Sequence, residues 1–156
     1  MGVSGCGKSS VGQRLADALG IRFLEGDAFH SKENVEKMSA GTPLTDEDRA
    51  GWLAVLAAEI RAAAEKGEGL VLSCSSLKRR YRDQLRAGDP ALRFAHLHGE
   101  RVLIAQRMQA RPNHYMPPSL LDSQLAALEP LQNDEAGLVL DIGKEPATLV
   151  EAILRS

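Results

Sequence analysis

The eight residues from Gly2 to Ser9, GVSGCGKS, leave the start of this chain little freedom in how it folds. Glycine at the first and sixth positions, followed by lysine and serine, lets the backbone curl until successive N–H groups point inward around an anion. In such a loop the lysine, here Lys8, reaches the terminal phosphates of a nucleotide, and the serine, here Ser9, ligates Mg²⁺. Gly2, Val3, Ser4, Gly5, Cys6, Gly7, Lys8 and Ser9 are therefore the candidate nucleotide cradle. Cys6 stands at a variable position and needs no chemical role. Val11, Leu15 and Leu19 follow at helical spacing, with Gly20 placed to end the helix. A helix over 9–19 turns its positive dipole end toward the phosphates. The competing reading, a Gly/Ser-rich surface turn, does not account for the amphipathic helix that follows at once.

The chain has 156 residues, which is the length of one domain over 1–156 with room for a core. A net charge of −2 gives no basis for a nucleic-acid partner or an anionic membrane surface. Cys6 and Cys74 show neither metal-ligand spacing nor a disulfide framework, which fits a reducing, cytoplasmic setting. No apolar run reaches transmembrane length, and no signal peptide precedes the loop.

Short apolar runs at 21–27, 69–75, 92–99 and 137–143 alternate with helical patterns, which predicts an α/β fold with a parallel sheet flanked by helices. Thr45 and Asp48 predict a capping box opening a helix from Asp46 to Lys66, whose Trp52, Leu56 and Ile60 share a face. Further helices are expected from Leu77 to Ala87, from Glu100 to Arg111 ahead of Pro112, and over 146–155. Ser119 and Asp122 are candidate caps of a short helix between the last two.

Ligands of such sheets bind at the carboxyl ends of the strands. Asp27, closing "EGD", is the carboxylate best placed to orient an acceptor hydroxyl and take its proton; a turn aspartate is the competing reading. Glu25 is a candidate for the Mg²⁺ water shell. The run LKRRYR (77–82) puts cations in the first turns of a helix, where they oppose the macrodipole. A bound anion would offset this, making Lys78 and Arg82 candidate substrate or phosphate ligands, against a merely solvated basic face. Arg107 and Arg111 share a helical face and border a Pro-flanked loop, as a lid over 107–123 neutralising transferring charge would. Salt-bridge arginines are the alternative. His114 and Tyr115 lie in that loop. Asp141, after the apolar GLVL, looks superficially like a Walker B aspartate, but its place on the final strand favours a structural role; His96 and His98 alternate on a strand and show no convincing ligand set.

GVSGCGKSSVG, GDAFHSKENVEKMSAGTPLTDEDRAGWL (26–53), CSSLKRRYRDQLR (74–86) and SQLAALEPL (123–131) together resemble the gluconokinases among P-loop small-molecule kinases. The resemblance implies ATP- and Mg²⁺-dependent phosphorylation of D-gluconate to 6-phosphogluconate. It further implies a five-stranded parallel sheet in the order 2-3-1-4-5 and, commonly, a homodimer. It makes Asp27 the group facing the acceptor hydroxyl. His30, Lys37 and Arg49 become contributors to the sugar-acid pocket, and Lys78, Arg82, His114 and Gln124 further positions near substrate or lid. Glu25 departs from the aspartate the family often shows. The alternatives are a shikimate kinase-like enzyme, a nucleotide-binding module and an inactive remnant. The absence of an N-K-x-D guanine-reading motif weakens a GTPase-type module.

The family also carries an apolar strand directly before the loop, where this sequence has Met1 alone. Burying about five apolar side chains contributes roughly 8–15 kcal/mol, comparable with a whole domain's stability of about 5–15 kcal/mol. The expectation is that strand 1 is largely missing, that Met1 is an internal methionine or an incorrect start, and that the chain as written folds poorly. Mass spectrometry of the protein's mature N-terminus tests this.

Overall fold

The computed structural model describes residues 1–111, 117 and 119–156. Its centre consists of two parallel strand pairs. In one, β1 (Arg22–Glu25) lies beside β2 (Leu70–Ser73), with Phe23 opposite Val71. In the other, β3 (Phe94–His98) lies beside β4 (Gly137–Asp141), with His96 opposite Val139. All four fall within the apolar runs of the sequence, and each ends on a polar residue: Glu25, Ser73, His98 and Asp141.

Helices cover these strands. The first, α1 (Lys8–Leu19), buries Val11 but leaves Leu19 at its far end exposed; Gly20 closes it in the left-handed conformation at φ 66°. Then come α2 (Lys32–Ser39) and α3 (Asp46–Glu65). The Thr45 hydroxyl accepts from Asp48 N–H at 3.0 Å and the Asp48 carboxylate accepts from Thr45 N–H at 2.9 Å, completing the predicted capping box. Trp52, Leu53, Leu56 and Ile60 bury the inner face of α3. The chain continues through α4 (Arg79–Arg86), α5 (Arg101–Ala110), α6 (Leu120–Ala127) and α7 (Pro146–Arg155).

Three details differ from expectation. Helix α4 starts at Arg79, because Lys78 is extended at φ −101°, ψ 148°. Ser119 precedes α6 without a side-chain cap bond, and Asp122 instead accepts from Arg101 Nε at 2.7 Å. Helix α2 carries no apolar stripe for periodicity to find. Its signal was Ser31, whose hydroxyl accepts from Asn34 N–H at 3.1 Å.

The resemblance implies one five-stranded sheet; the described residues form two two-stranded ones. A groove of about 540 Å³ separates β2 from β3, lined by Val11, Leu72, Leu85, Ala95 and Leu97 among others. Met1 and Gly2 span its end. The Met1 amino group donates to the Ala95 carbonyl at 2.5 Å, and Leu97 N–H donates to the Met1 carbonyl at 2.9 Å. Gly2 N–H donates to the Ser75 carbonyl at 3.1 Å on the other side. The first two residues thus tie both strand pairs together and launch the loop between them.

Candidate active site

The loop from Gly2 to Ser9 meets α1 head-on. At Gly5 (φ 83°) a Cβ would stand 2.6 Å from Met108 Cγ and 3.2 Å from the Ile104 carbonyl, so only glycine lets the loop pack on α5. Gly7 has open space around it but sits at φ 94° as the N-cap of α1; its backbone conformation alone calls for glycine. Val3 and Cys6 anchor the loop's underside in the core. Lys8 Nζ donates to the Val3 carbonyl at 3.0 Å, folding the amine back over the loop. Ser4 N–H donates to Gln124 Oε1 at 2.7 Å, which fastens the loop to α6. The Ser9 hydroxyl donates to the Glu25 carboxylate, joining the first turn of α1 to the end of β1.

A cavity of about 400 Å³ opens beside this loop. Gly5, Gly7, Lys8 and Ser9 line it from the loop and the start of α1. Asp27 enters from the 3₁₀ turn Gly26–Phe29 that follows β1, and His30 from the residue that closes it. Arg49 comes from α3, Arg107 and Arg111 from α5 and its end, and Gln124 from α6. Lys8, Arg49, Arg107 and Arg111 face one lining carboxylate, Asp27, so the space favours polyanions. Arg107 Nη2 donates to the Ile142 carbonyl at 2.9 Å, which ties α5 to the segment after β4.

His30 is held on three sides. Its ring stacks on Trp52 with centroids 4.0 Å apart and planes 20° from parallel. Nε2 lies 4.0 Å from Asp27 Oδ1, and Nδ1 lies 3.4 Å from Asn34 Nδ2. Burial pushes its pKa down to about 4, with Asp27 opposing and Arg49 assisting, so the ring is neutral through the physiological range. His96 on β3 is lowered to about 4 as well, again chiefly by burial. Both rings take up a proton more readily unfolded than folded. Stability is therefore expected to fall as pH drops from about 6.5 toward 4, read as a declining thermal midpoint across that window.

Arg49 is 9% exposed, its guanidinium 5.4 Å from the centre of the Tyr81 ring, and its Nε has no partner among the described residues. Arg49 also lines the cavity, and a buried cation in a cavity wall is a place for an anionic ligand.

Three predicted ligands stand elsewhere. Lys37 is exposed and pairs with Asp48 at 2.9 Å. Lys78 pairs with Asp46 at 3.1 Å, and replacing it with methionine is expected to leave the KM for the acceptor unchanged in a steady-state assay. Arg82 is fully buried: Nε and Nη2 donate to the Glu135 carboxylate at 2.7 and 2.9 Å, and Nη1 to the Ser76 carbonyl at 3.0 Å. It braces the turn after β2, where Ser76 has φ 48°, and touches no part of the cavity. His114 and most of the residues between Arg111 and Ser119 lie outside the described residues. Glu25 sits at the loop through Ser9. Asp141 Oδ1 accepts from Gly143 N–H at 2.8 Å in a turn. Sequence reading missed Met38 and Ser10, both in the cavity wall, and the support that Asn34 gives His30.

A cationic chamber over a phosphate loop, with a carboxylate across from it, supplies what phosphoryl transfer to a hydroxyl needs. Residues 4–156 match the model of the family described as shikimate kinase. The gluconokinase of Gluconobacter oxydans is 48% identical over 155 residues, which is 99% of this chain and 87% of that protein. A solved sugar kinase from Janibacter superposes with a TM-score of 0.95 at 50% identity, covering 99% of this chain and 90% of that one. A solved gluconokinase from Sinorhizobium meliloti gives 0.86 at 45%, covering 99% and 87%. The chain belongs to the shikimate kinase family of P-loop kinases and, within it, to the gluconokinases. Among the described residues, no helix is long and apolar enough to cross a membrane.

Proposed function

We propose that the chain transfers the γ-phosphoryl group of ATP to the 6-hydroxyl of D-gluconate, giving 6-phosphogluconate and ADP. The observation that carries this is Asp27, a carboxylate lining the same cavity as Lys8, Arg107 and Arg111. Asp27 aligns the hydroxyl and receives its proton as the oxygen–phosphorus bond forms and the bond to the ADP oxygen breaks. Lys8 and the two arginines offset the charge on the transferring group and the departing ADP. Arg49 takes the substrate carboxylate, and His30 lines the same pocket beside Asp27. Ser9, with Glu25 behind it, fits a Mg²⁺ site: a hydroxyl beside the phosphates, and a carboxylate in reach of the metal's water shell. A Mg²⁺ ion held there by Ser9, with Glu25 in reach of its water shell, would draw negative charge off the terminal phosphates.

A coupled ADP-release assay over a panel of sugar acids, with shikimate included, tests the assignment. Gluconate-dependent ADP release well above that with shikimate is expected. Release with shikimate alone would move the chain to the other activity named by its family. Nucleotide binding without any acceptor-dependent release would make it a binding module.

A further inference from the structure

We propose that Asn34 and Trp52 are positioning residues that hold His30 as the neutral Nε2–H tautomer, with that N–H turned toward the Asp27 carboxylate. The proposal rests on the reading of Asp27 as the group that receives the acceptor's proton.

The tautomer follows from what faces each ring nitrogen. Asn34 is 5% exposed, and its Nδ2 donates to the Asp48 backbone carbonyl at 2.8 Å. A carbonyl only accepts, so the nitrogen of the Asn34 amide, not its oxygen, must lie on this side. The same nitrogen stands 3.4 Å from His30 Nδ1 and has a second hydrogen to give. An amide NH₂ offers no acceptor, so Nδ1 is the bare nitrogen and the ring proton resides on Nε2. Nε2 is the atom 4.0 Å from Asp27 Oδ1, a gap that a shift of about 1 Å turns into a hydrogen bond.

Trp52 fixes the other coordinates. Its ring lies flat on His30, and its Nε1–H donates to the Gly26 carbonyl at 2.8 Å, the peptide unit immediately before Asp27. Gly26 in turn backs directly onto the Ser73 carbonyl, leaving no room for a Cβ. One side chain of α3 therefore sets both the ring and the backbone that carries the carboxylate. The charged groups facing His30 are Asp27 from its own turn and Arg49 from α3. A neutral donor against Asp27 steers one carboxylate oxygen and leaves the other for the acceptor hydroxyl. Burial of the ring acts in the same direction by disfavouring the imidazolium.

The test is nitrogen NMR of isotope-labelled histidine rings in the whole protein near neutral pH, with His30→Gln identifying the signals. The expected spectrum shows His30 Nε2 protonated and Nδ1 bare. A protonated Nδ1 with a bare Nε2, or an imidazolium, overturns the proposal whatever any variant does. Asn34→Asp supplies an acceptor opposite Nδ1, so it should move the proton there and lower kcat about 10- to 100-fold with the KM for ATP unchanged. Trp52→Phe keeps a stacked ring but loses the bond to Gly26; kcat should fall while the tautomer stays. A moved proton with undiminished kcat in Asn34→Asp overturns the positioning role and leaves Asp27 as the base. Full turnover by Asp27→Asn would sink the reading of Asp27 and this proposal with it, although the tautomer itself would stand.

Discussion

Asp27→Asn is expected to bind ATP and gluconate much as the unaltered chain does and to turn over about 10²–10⁴ times more slowly. Asparagine keeps the size and hydrogen-bonding reach of aspartate but cannot accept a proton from an alcohol. The Asp27 side chain is 43% exposed, so removing its charge should disturb the fold little. The nucleotide cradle from Gly2 to Ser9 and the cations Lys8, Arg107 and Arg111 remain as they were, so donor binding has no reason to weaken. Steady-state kinetics with each substrate varied separate the outcomes. A collapse of kcat with near-constant KM values is the expected result. Turnover that survives removes Asp27 from the proton-accepting role and returns it to the turn aspartate it would otherwise be.

Arg82→Met is expected to act on stability and not on the acceptor's KM. Arg82 and Glu135 are both 0% exposed at the side chain and share two hydrogen bonds. Removing one partner of a buried pair costs about 3–5 kcal/mol because the other charge is left without compensation. Here Arg86 Nη2 and the Gln132 N–H still reach Glu135 at 2.9 and 2.8 Å, but the carbonyls of Ser76, Leu77 and Pro130 lose their donor. For a domain of this size the thermal midpoint should fall by about 10 °C. The same pair predicts an acid transition. Burial alone would raise Glu135, but hydrogen bonds from Arg82, Gln132 N–H and Arg86 outweigh it and bring its pKa down to about 2 from 4.5. With the folded value depressed, this stabilisation is complete above about 4.5 and is lost as pH falls toward 2. Glu135→Gln should remove that component of the acid dependence. A raised KM for gluconate in Arg82→Met, with the midpoint unchanged, would restore Arg82 as a ligand.

The sequence made the loop, the capping box of α3, the Gly20 terminus and the four strands legible because each is decided by neighbours in the chain. The basic run at 77–82 shows the limit. Opposing the macrodipole, it does call for an anion nearby, and the protein supplies carboxylates of its own. Lys78 finds Asp46, Arg79 finds Asp134 at 2.6 Å, and Arg82 finds Glu135, each more than 30 positions away. No local pattern announces such partners. Trp52 was legible as a core residue from its helical spacing, but nothing in that spacing tells that its indole N–H reaches Gly26. Lys37 lies in the most family-specific block and still points away from the cavity, toward Asp48. Arg49, in the same block, lines it.

The most direct test of the account is phosphorus NMR of the product formed from ATP and D-gluconate by the purified chain. The expected product is a phosphate monoester coupled to the methylene protons at carbon six, formed in step with ADP. An ester at another hydroxyl would mean that the cavity presents a different group to Asp27. ATP left intact beside gluconate, in protein shown to be folded, would contradict the assignment outright.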